Sequence, residues 1–200
     1  TDITNIKKRE DEIRYLSYHD VLTGLYNRRF FEEAKQRIDN ENWLPLSIII
    51  GDINGLKLIN DTLGHVEGDR LIMVTAKLLS DCCREDDVIA RTGGGEFSVL
   101  LPKTSIEDAY KIMKELETAY QEYRGKTKDE AYSPCVSFGC ATKTTVKESL
   151  SSIIKVAEDN MFRHKLLQDE SLHSSIISSI KTTLLEKSQE TEEHAQRLVA

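Results

Sequence analysis

Asp52, Asn60 and Asp69 are three polar residues in one short stretch, and their types and spacing could bind a charged ligand. Asp52 follows the apolar residues 46–50, at the place where an open-sheet protein puts ligand-binding groups. Its carboxylate is a candidate ligand for a hard cation, but a strand-end aspartate that caps the next turn has the same pattern. The amide of Asn60 and the carboxylate of Asp69 could together match the edge of guanine, although both residue types more often cap helices.

Strand and helix patterns alternate along the chain around these residues. Gly93, Gly94 and Gly95 separate two apolar runs and predict a tight hairpin in which glycine supplies positive φ. The alternation predicts an α/β fold in which helices flank a mixed central sheet. The predicted strands are residues 46–50, 88–90, 97–101 and 135–141, and the predicted helices run from residue 28 to just before Trp43 and over residues 69–81, 106–120 and 150–161. A polar loop is expected over residues 125–133.

Helical patterns continue beyond the alternating region at both ends. Residues 1–17 and 169–200 contain no Gly or Pro and place apolar side chains at helical spacing. Neither stretch has a predicted element to pack against, so both are interpreted as connectors. The sequence therefore predicts one domain over residues 18–168, with helical extensions on either side.

The composition argues against a nucleic-acid-binding protein, a membrane-spanning segment and a disulfide-bonded protein. The 200 residues include 27 basic and 34 acidic side chains, and the net charge of −7 argues against a nucleic-acid groove. No apolar run approaches the roughly 20 residues that cross a bilayer, so no membrane contact is expected of this segment. The four cysteines lack CxxC spacing, which favours reduced thiols in a cytoplasmic protein.

Three segments together resemble the GGDEF domain of diguanylate cyclases. They read DVLTGLYNRR from Asp20, DINGLKLINDTLGHVEGD from Asp52, and RTGGGEF from Arg91. Residues 136–140 and 157–165 are similar to late elements of that family, so the resemblance spans about residues 17–167. Several motifs in the right order make it far more specific than a lone glycine loop.

The resemblance implies a fold and a reaction. The fold would be related to the nucleotidyl cyclase and polymerase palm sheets. The reaction would condense two GTP molecules into cyclic di-GMP with release of pyrophosphate, each protomer of a homodimer holding one GTP. Such chemistry uses Mg²⁺ or Mn²⁺ to offset phosphate charge.

The resemblance also assigns roles to individual residues, which are expectations at this stage. Metal ligands would be Asp52, the backbone carbonyl of Ile53, and Glu96. Phosphates would contact Lys57, Lys165 and the backbone N–H groups of Asn54, Gly55 and Leu56, while Asn60 and Asp69 would read guanine.

Gly95 departs from the family pattern. It stands at the third position of the signature, where active members carry an Asp or Glu that binds metal. Neighbouring side chains on a strand point to opposite faces, so Glu96 is not expected to take over that role. The sequence therefore favours a degenerate regulatory domain that binds GTP with weak or no cyclase activity. An active cyclase and a passive dimerising spacer are the alternatives.

Arg84 and Asp87 precede the signature at the offset of the RxxD inhibitory site, where family members bind cyclic di-GMP. Arginine can pair with guanine O6 and N7, and aspartate can accept from N1 and N2. An exposed i,i+3 ion pair is the alternative interpretation.

The two extensions resemble parts of neighbouring domains. The start of the chain is similar to the exit from a PAS-like sensor domain. The last residues, from Glu186 onward, resemble the opening helix of an HD-GYP phosphodiesterase domain, of which only that opening is present. An upstream sensor and a downstream HD-GYP domain are therefore expected in the full-length protein.

Overall fold

A five-stranded sheet forms the centre of the computed structural model, which describes residues 9, 13–126 and 135–167. The strands are β1 (Tyr26–Asn27), β2 (Leu46–Ile53), β3 (Val88–Arg91), β4 (Glu96–Leu101) and β5 (Val136–Lys143). They lie in the order β1-β3-β4-β2-β5, with β1 parallel to β3 and every other pair antiparallel. The predicted mixed sheet is confirmed.

Helices cover both faces of the sheet. They are α1 (residues 13–18), α2 (Arg28–Ile38), α3 (Leu56–Leu63), α4 (His65–Cys82), α5 (Ile106–Lys126) and α6 (residues 150–167). The helix predicted from residue 28 ends earlier than expected, because Asn40 caps a separate 3₁₀ turn, Glu41–Trp43. Residues 125 and 126 belong to α5, and most of the predicted polar loop lies outside the described residues, as do residues 168–200.

Alternation along β2 divides the core between the two faces. Ile49 and Ile53 pack in the cluster beneath α4 and α5, whereas Ile48 and Ile50 pack in the cluster beneath α2 and α6. Helix α6 approaches the sheet closely at Gly139, where a Cβ would lie 2.2 Å from the Ala157 carbonyl oxygen. By this alternation Asp52 belongs to the face that α2 and α6 cover.

Helix α3 is an element that the sequence patterns did not predict. Its eight residues pack on α4, which begins at His65 rather than at the predicted Asp69. Gly64 separates the two helices with a φ of 93°, a conformation that favours glycine. Helix α3 therefore follows β2 directly and places its first turn beside Asp52.

The predicted hairpin between β3 and β4 is confirmed, but its glycines do not behave as expected. Within the described chain, the glycines with positive φ are Gly24, Gly55 and Gly64, so the hairpin turns without that conformation. The four cysteines are free, as predicted. Of the helices in the described ranges, none is both long and apolar enough to cross a membrane.

Candidate nucleotide site

Asp52 lies one residue before the end of β2, between Glu96 of β4 and Ser137 of β5. Its side chain is 18% exposed, and Oδ2 accepts a hydrogen bond from Nζ of Lys165 on α6. The interpretation of Asp52 as a turn cap is therefore wrong, because its carboxylate forms an ion pair across the sheet edge. The structure brings Lys165 to Asp52 from 113 residues away.

Gly95 approaches the same carboxylate from the hairpin. Its carbonyl accepts a hydrogen bond from the Ile53 N–H at 3.0 Å, which fixes the backbone of the hairpin against β2. A Cβ on Gly95 would lie 3.4 Å from Asp52 Oδ1 and 3.0 Å from Leu56 Cδ2. A side chain at position 95 would therefore stand beside the oxygen of Asp52 that Lys165 does not use.

Glu96 shares a sheet face with Asp52, contrary to the expectation from the sequence. The two residues are directly opposed in the β2–β4 register, and opposed residues of antiparallel strands point to the same face. The exposed carboxylate of Glu96 nevertheless turns toward the hairpin, 2.4 Å from where a Gly93 Cβ would stand. It lines a groove of about 340 Å³ between α2 and α6.

The predicted phosphate loop is only partly available for an anion. The backbone N–H of Asn54 donates to the Cys135 carbonyl at 2.7 Å, and its buried amide exchanges hydrogen bonds with Ser137 Oγ. Asn54 therefore ties β2 to β5 and is not a free phosphate donor, which corrects that expectation. Gly55 caps α3 with a φ of 69°. The first-turn N–H groups from Leu56 onward lack intrahelical acceptors, an arrangement that binds anions.

Asn60 and Asp69 are not helix caps, because the N-caps of α3 and α4 are Gly55 and Gly64. Asn60 Oδ1 is buried and has no hydrogen-bond partner among the described residues. It packs on Gly68, where a Cβ would lie only 1.8 Å from it. Asp69 follows Gly68 on the exposed side of α4. The Asp69 carboxylate is exposed to a ligand, whereas Asn60 Oδ1 is buried against Gly68, and the guanine site stays a prediction.

Arg91 is a functional candidate that sequence reasoning missed. Its guanidinium donates to both carboxylate oxygens of Asp20 at 3.2 Å and to the carbonyl of Gly94 at 2.8 Å. It also donates to the Gly93 carbonyl at 3.2 Å. The hairpin is therefore held to the turn that follows α1. Both residues lie in the quoted motifs, but no spacing rule connects positions 71 residues apart.

Residues 17–171 match the family described as diguanylate cyclase, GGDEF domain. The chain belongs to the GGDEF family. This GGDEF domain is 29% identical over 167 residues to the diguanylate cyclase DgcM of Escherichia coli K12. It is 31% identical over 168 residues to the uncharacterized protein YhcK of Bacillus subtilis. These matches cover 82% and 81% of the chain but only 40% and 46% of the relatives, so the chain spans less than half of their length.

Solved structures of GGDEF domains share the fold. The coiled coil and GGDEF domain of DgcB from Caulobacter crescentus, in complex with c-di-GMP, superposes with a TM-score of 0.74 at 24% identity. That match covers 82% of this chain and 88% of DgcB. The GGDEF domain of PA1120 from Pseudomonas aeruginosa superposes with a TM-score of 0.63 at 29% identity, covering 78% and 99% of the two chains. The predicted fold class is therefore confirmed.

Arg84 and Asp87 of the GGDEF domain meet through the backbone. Asp87 is buried, its Oδ2 accepts from the Arg84 N–H at 2.7 Å, and its own N–H donates to the Arg84 carbonyl at 3.1 Å. Burial raises the pKa of Asp87. The Arg84 side chain is exposed, so it stays accessible while Asp87 holds the loop before β3.

The predicted divalent cation fits the residues of this domain poorly. Asp52 is already paired with Lys165, Gly95 offers no carboxylate, and the Glu96 carboxylate lies over the hairpin. In residues 13–126 and 135–167, no three His, Cys, Asp or Glu side chains are grouped closely enough to hold a metal ion. Mg²⁺ is usually held by one or two free carboxylates together with substrate phosphates. The donor set found here lacks a free one beside Asp52.

Proposed function

We propose that this GGDEF domain binds GTP and cyclic di-GMP and regulates the domains attached to it, with weak or no cyclase activity. The observation that carries the proposal is the position of Gly95, whose absent side chain would face Asp52 Oδ1 at 3.4 Å. A carboxylate at position 95 would act on charge that develops in the transition state, and glycine does not supply it. Catalysis should therefore suffer more than binding.

The groups expected to bind the nucleotide do not depend on that side chain. Lys165 donates a hydrogen bond to Asp52, and Lys57 is exposed on the first turn of α3. The buried Asn60 acceptor and the exposed Asp69 remain in place on α3 and α4. This separation between binding groups and the position of the lost carboxylate supports a domain that holds GTP without turning it over.

Guanine specificity is expected from Asn60 and Asp69. Adenine would present the wrong edge and leave the carboxylate facing an acceptor, which is costly in a partly desolvated site. Calorimetric titration of the chain with GTP and ATP tests this point, and we expect binding of GTP to be at least about tenfold tighter. Equal affinity for both nucleotides contradicts the guanine assignment. If neither binds, the alternative of a passive dimerising spacer is favoured.

An active diguanylate cyclase is the second candidate, and one observation favours it. Glu96 is directly opposed to Asp52 on the same face of the sheet, so a rotation of its side chain away from Gly93 would bring a second carboxylate toward Asp52. Release of pyrophosphate from GTP distinguishes this candidate from a regulatory domain.

The partners of the domain follow from the same proposal. A homodimer is needed for two GTP sites to face each other, and cyclic di-GMP is expected at Arg84 and Asp87. An upstream PAS-like sensor and a downstream HD-GYP domain would be the regulated neighbours. The resemblances for these two neighbours fall largely on residues 1–8 and 168–200, outside the described residues. They stay predictions, as does a cytoplasmic location.

A further inference from the structure

The ammonium group of Lys165 occupies one side of Asp52. Lys165 reaches from α6 to Oδ2, and the two side chains are 27% and 18% exposed. A pair this shielded is screened less by salt than a surface pair. A positive charge therefore already stands against the carboxylate where a metal-dependent site would place its cation.

The other side of Asp52 carries no additional negative charge. A Cβ at Gly95 would lie 3.4 Å from Oδ1, so a carboxylate at this position would place a second anion beside Asp52. With glycine there, Asp52 and Lys165 offset each other, and Lys57 on α3 adds a further positive charge. A divalent cation in phosphate chemistry serves mainly to offset negative charge. Here Lys165 neutralises Asp52 and Lys57 remains as a positive charge for the expected phosphates, so the protein itself supplies part of that offset.

We propose that this domain binds the triphosphate of GTP without a divalent cation, with Lys165 as the cation beside Asp52. The inference rests on the proposed function, because it concerns how the same site binds GTP. The first-turn N–H groups of α3 complete the anion site. In this site the Lys165 ammonium takes the place of the metal ion, and the missing carboxylate at position 95 removes the second ligand that a metal ion would need.

Calorimetry of the full chain with GTP, once in EDTA and once in excess MgCl₂, tests the proposal. We expect the two dissociation constants to agree within about threefold, a difference well under 1 kcal/mol. Binding that needs Mg²⁺, or that weakens by more than about tenfold in EDTA, overturns the inference but leaves the proposed function intact. Absence of binding in both buffers overturns the proposed function itself.

Two variants sharpen the test. Gly95→Glu adds the missing anion and should make binding metal-dependent, with affinity at least about tenfold lower in EDTA than in MgCl₂. Lys165→Met keeps the length of the side chain but removes the charge, and should weaken binding in EDTA by at least about tenfold. Lys155→Met, an exposed lysine on the same helix, is the matched control and should bind as the natural chain does.

Circular dichroism should verify that each variant folds. Unchanged GTP affinity of folded Lys165→Met in EDTA overturns the role given to the ammonium. If Lys165→Met does not fold, the Gly95→Glu comparison decides, and a variant that binds equally well with and without Mg²⁺ overturns the proposal.

Discussion

Gly95 is the residue at which we propose that GTP binding and catalysis separate. Replacing it with Glu places a carboxylate beside Asp52 Oδ1, where the natural chain has none. We expect Gly95→Glu to raise the rate of cyclic di-GMP synthesis by about tenfold or more, the scale of effects at metal-associated groups. The measurement is product formation from GTP at protein concentrations that support dimers.

The control for this variant is Gly95→Ala, which adds the Cβ without the charge. Leu56 Cδ2, at 3.0 Å from that Cβ, has to yield slightly in both variants. A similar rate for Gly95→Ala and Gly95→Glu would contradict an electrostatic role for position 95.

Asn60 depends on a glycine to reach its position. A Cβ at Gly68 would lie 1.8 Å from Asn60 Oδ1, so Gly68→Ala must displace the amide. Because the amide is the flexible end of a side chain, the fold should survive, while affinity for GTP should fall by about tenfold or more. Titration calorimetry measures the loss, and Ser80→Ala, on the exposed side of the same helix, is the control. Full affinity in Gly68→Ala would remove Asn60 from the guanine site.

Arg84 is the better probe of the inhibitory site that we propose, because Asp87 also holds the loop through the Arg84 N–H. Arg84→Ala should weaken cyclic di-GMP binding by about 1 to 3 kcal/mol, the range for a lost bidentate contact to guanine. Affinity for GTP should stay unchanged, and Arg37→Ala on α2 should affect neither ligand. Cyclic di-GMP affinity that does not respond to Arg84→Ala would return this loop to a purely structural role.

At the scale of elements, the contact between Asp20 and Arg91 fastens the signature hairpin to the turn after α1. Burial raises the pKa of Asp20, but hydrogen bonds from Thr23 together with the Arg91 guanidinium outweigh it and leave the pKa below its ordinary value of 3.8. A lowered pKa in the folded state means that ionised Asp20 stabilises the fold above about pH 3.8. That contribution disappears as the pH falls through the lower folded value.

Asp20→Asn should therefore lower the free energy of unfolding by about 1 kcal/mol at pH 7. The difference from the natural chain should start to shrink below about pH 3.8, where unfolded Asp20 takes up a proton, and should vanish once the pH falls below the lowered pKa of folded Asp20. Urea unfolding measured from pH 7 to pH 3 checks this prediction. Asp81→Asn, which removes an exposed i,i+4 pair with Lys77, should cost less than about 0.5 kcal/mol. A pH-independent loss in Asp20→Asn would contradict the assignment.

The sequence predicts the long elements well and the short ones poorly. Strands β2 and β5 carry apolar runs that only a buried sheet accommodates, and α5 repeats its apolar face over several turns. Helix α3 has eight residues, too few to be stable in isolation, and its packing on α4 is a tertiary effect. Local patterns therefore could not reveal it.

The surroundings of Asn54 and Glu96 could not be predicted from the motifs. Asn54 fits a phosphate loop by position, yet its amide bonds to Ser137, a partner 83 residues away. Glu96 was expected on the face opposite to Asp52, because alternation gives only the relation between neighbours. The register between β2 and β4 places the two residues on one face. The spacing of residues along the chain does not determine which distant segments pair, or in which register.

At the scale of the whole molecule, the GTP site that we propose for one chain would be half of a cyclase active site. The resemblance implies a reaction between two GTP molecules, each held by one protomer, so we expect both charge and assembly to limit turnover. The matches cover only 40% and 46% of DgcM and YhcK, and we propose that a sensor and an HD-GYP domain are the neighbours of this domain in a longer protein. A domain that holds GTP without consuming it would report nucleotide to those neighbours.

Turnover of GTP by the unmodified chain decides whether this domain is a regulator or a cyclase. The chain would be incubated with excess GTP and Mg²⁺ at concentrations where it dimerises, and cyclic di-GMP and pyrophosphate would be quantified over time. Calorimetry on the same sample would establish that GTP is bound. We expect bound GTP with little or no product, because Gly95 leaves Asp52 without a second carboxylate. Sustained synthesis of cyclic di-GMP would contradict this account and would show that Glu96 completes an active site.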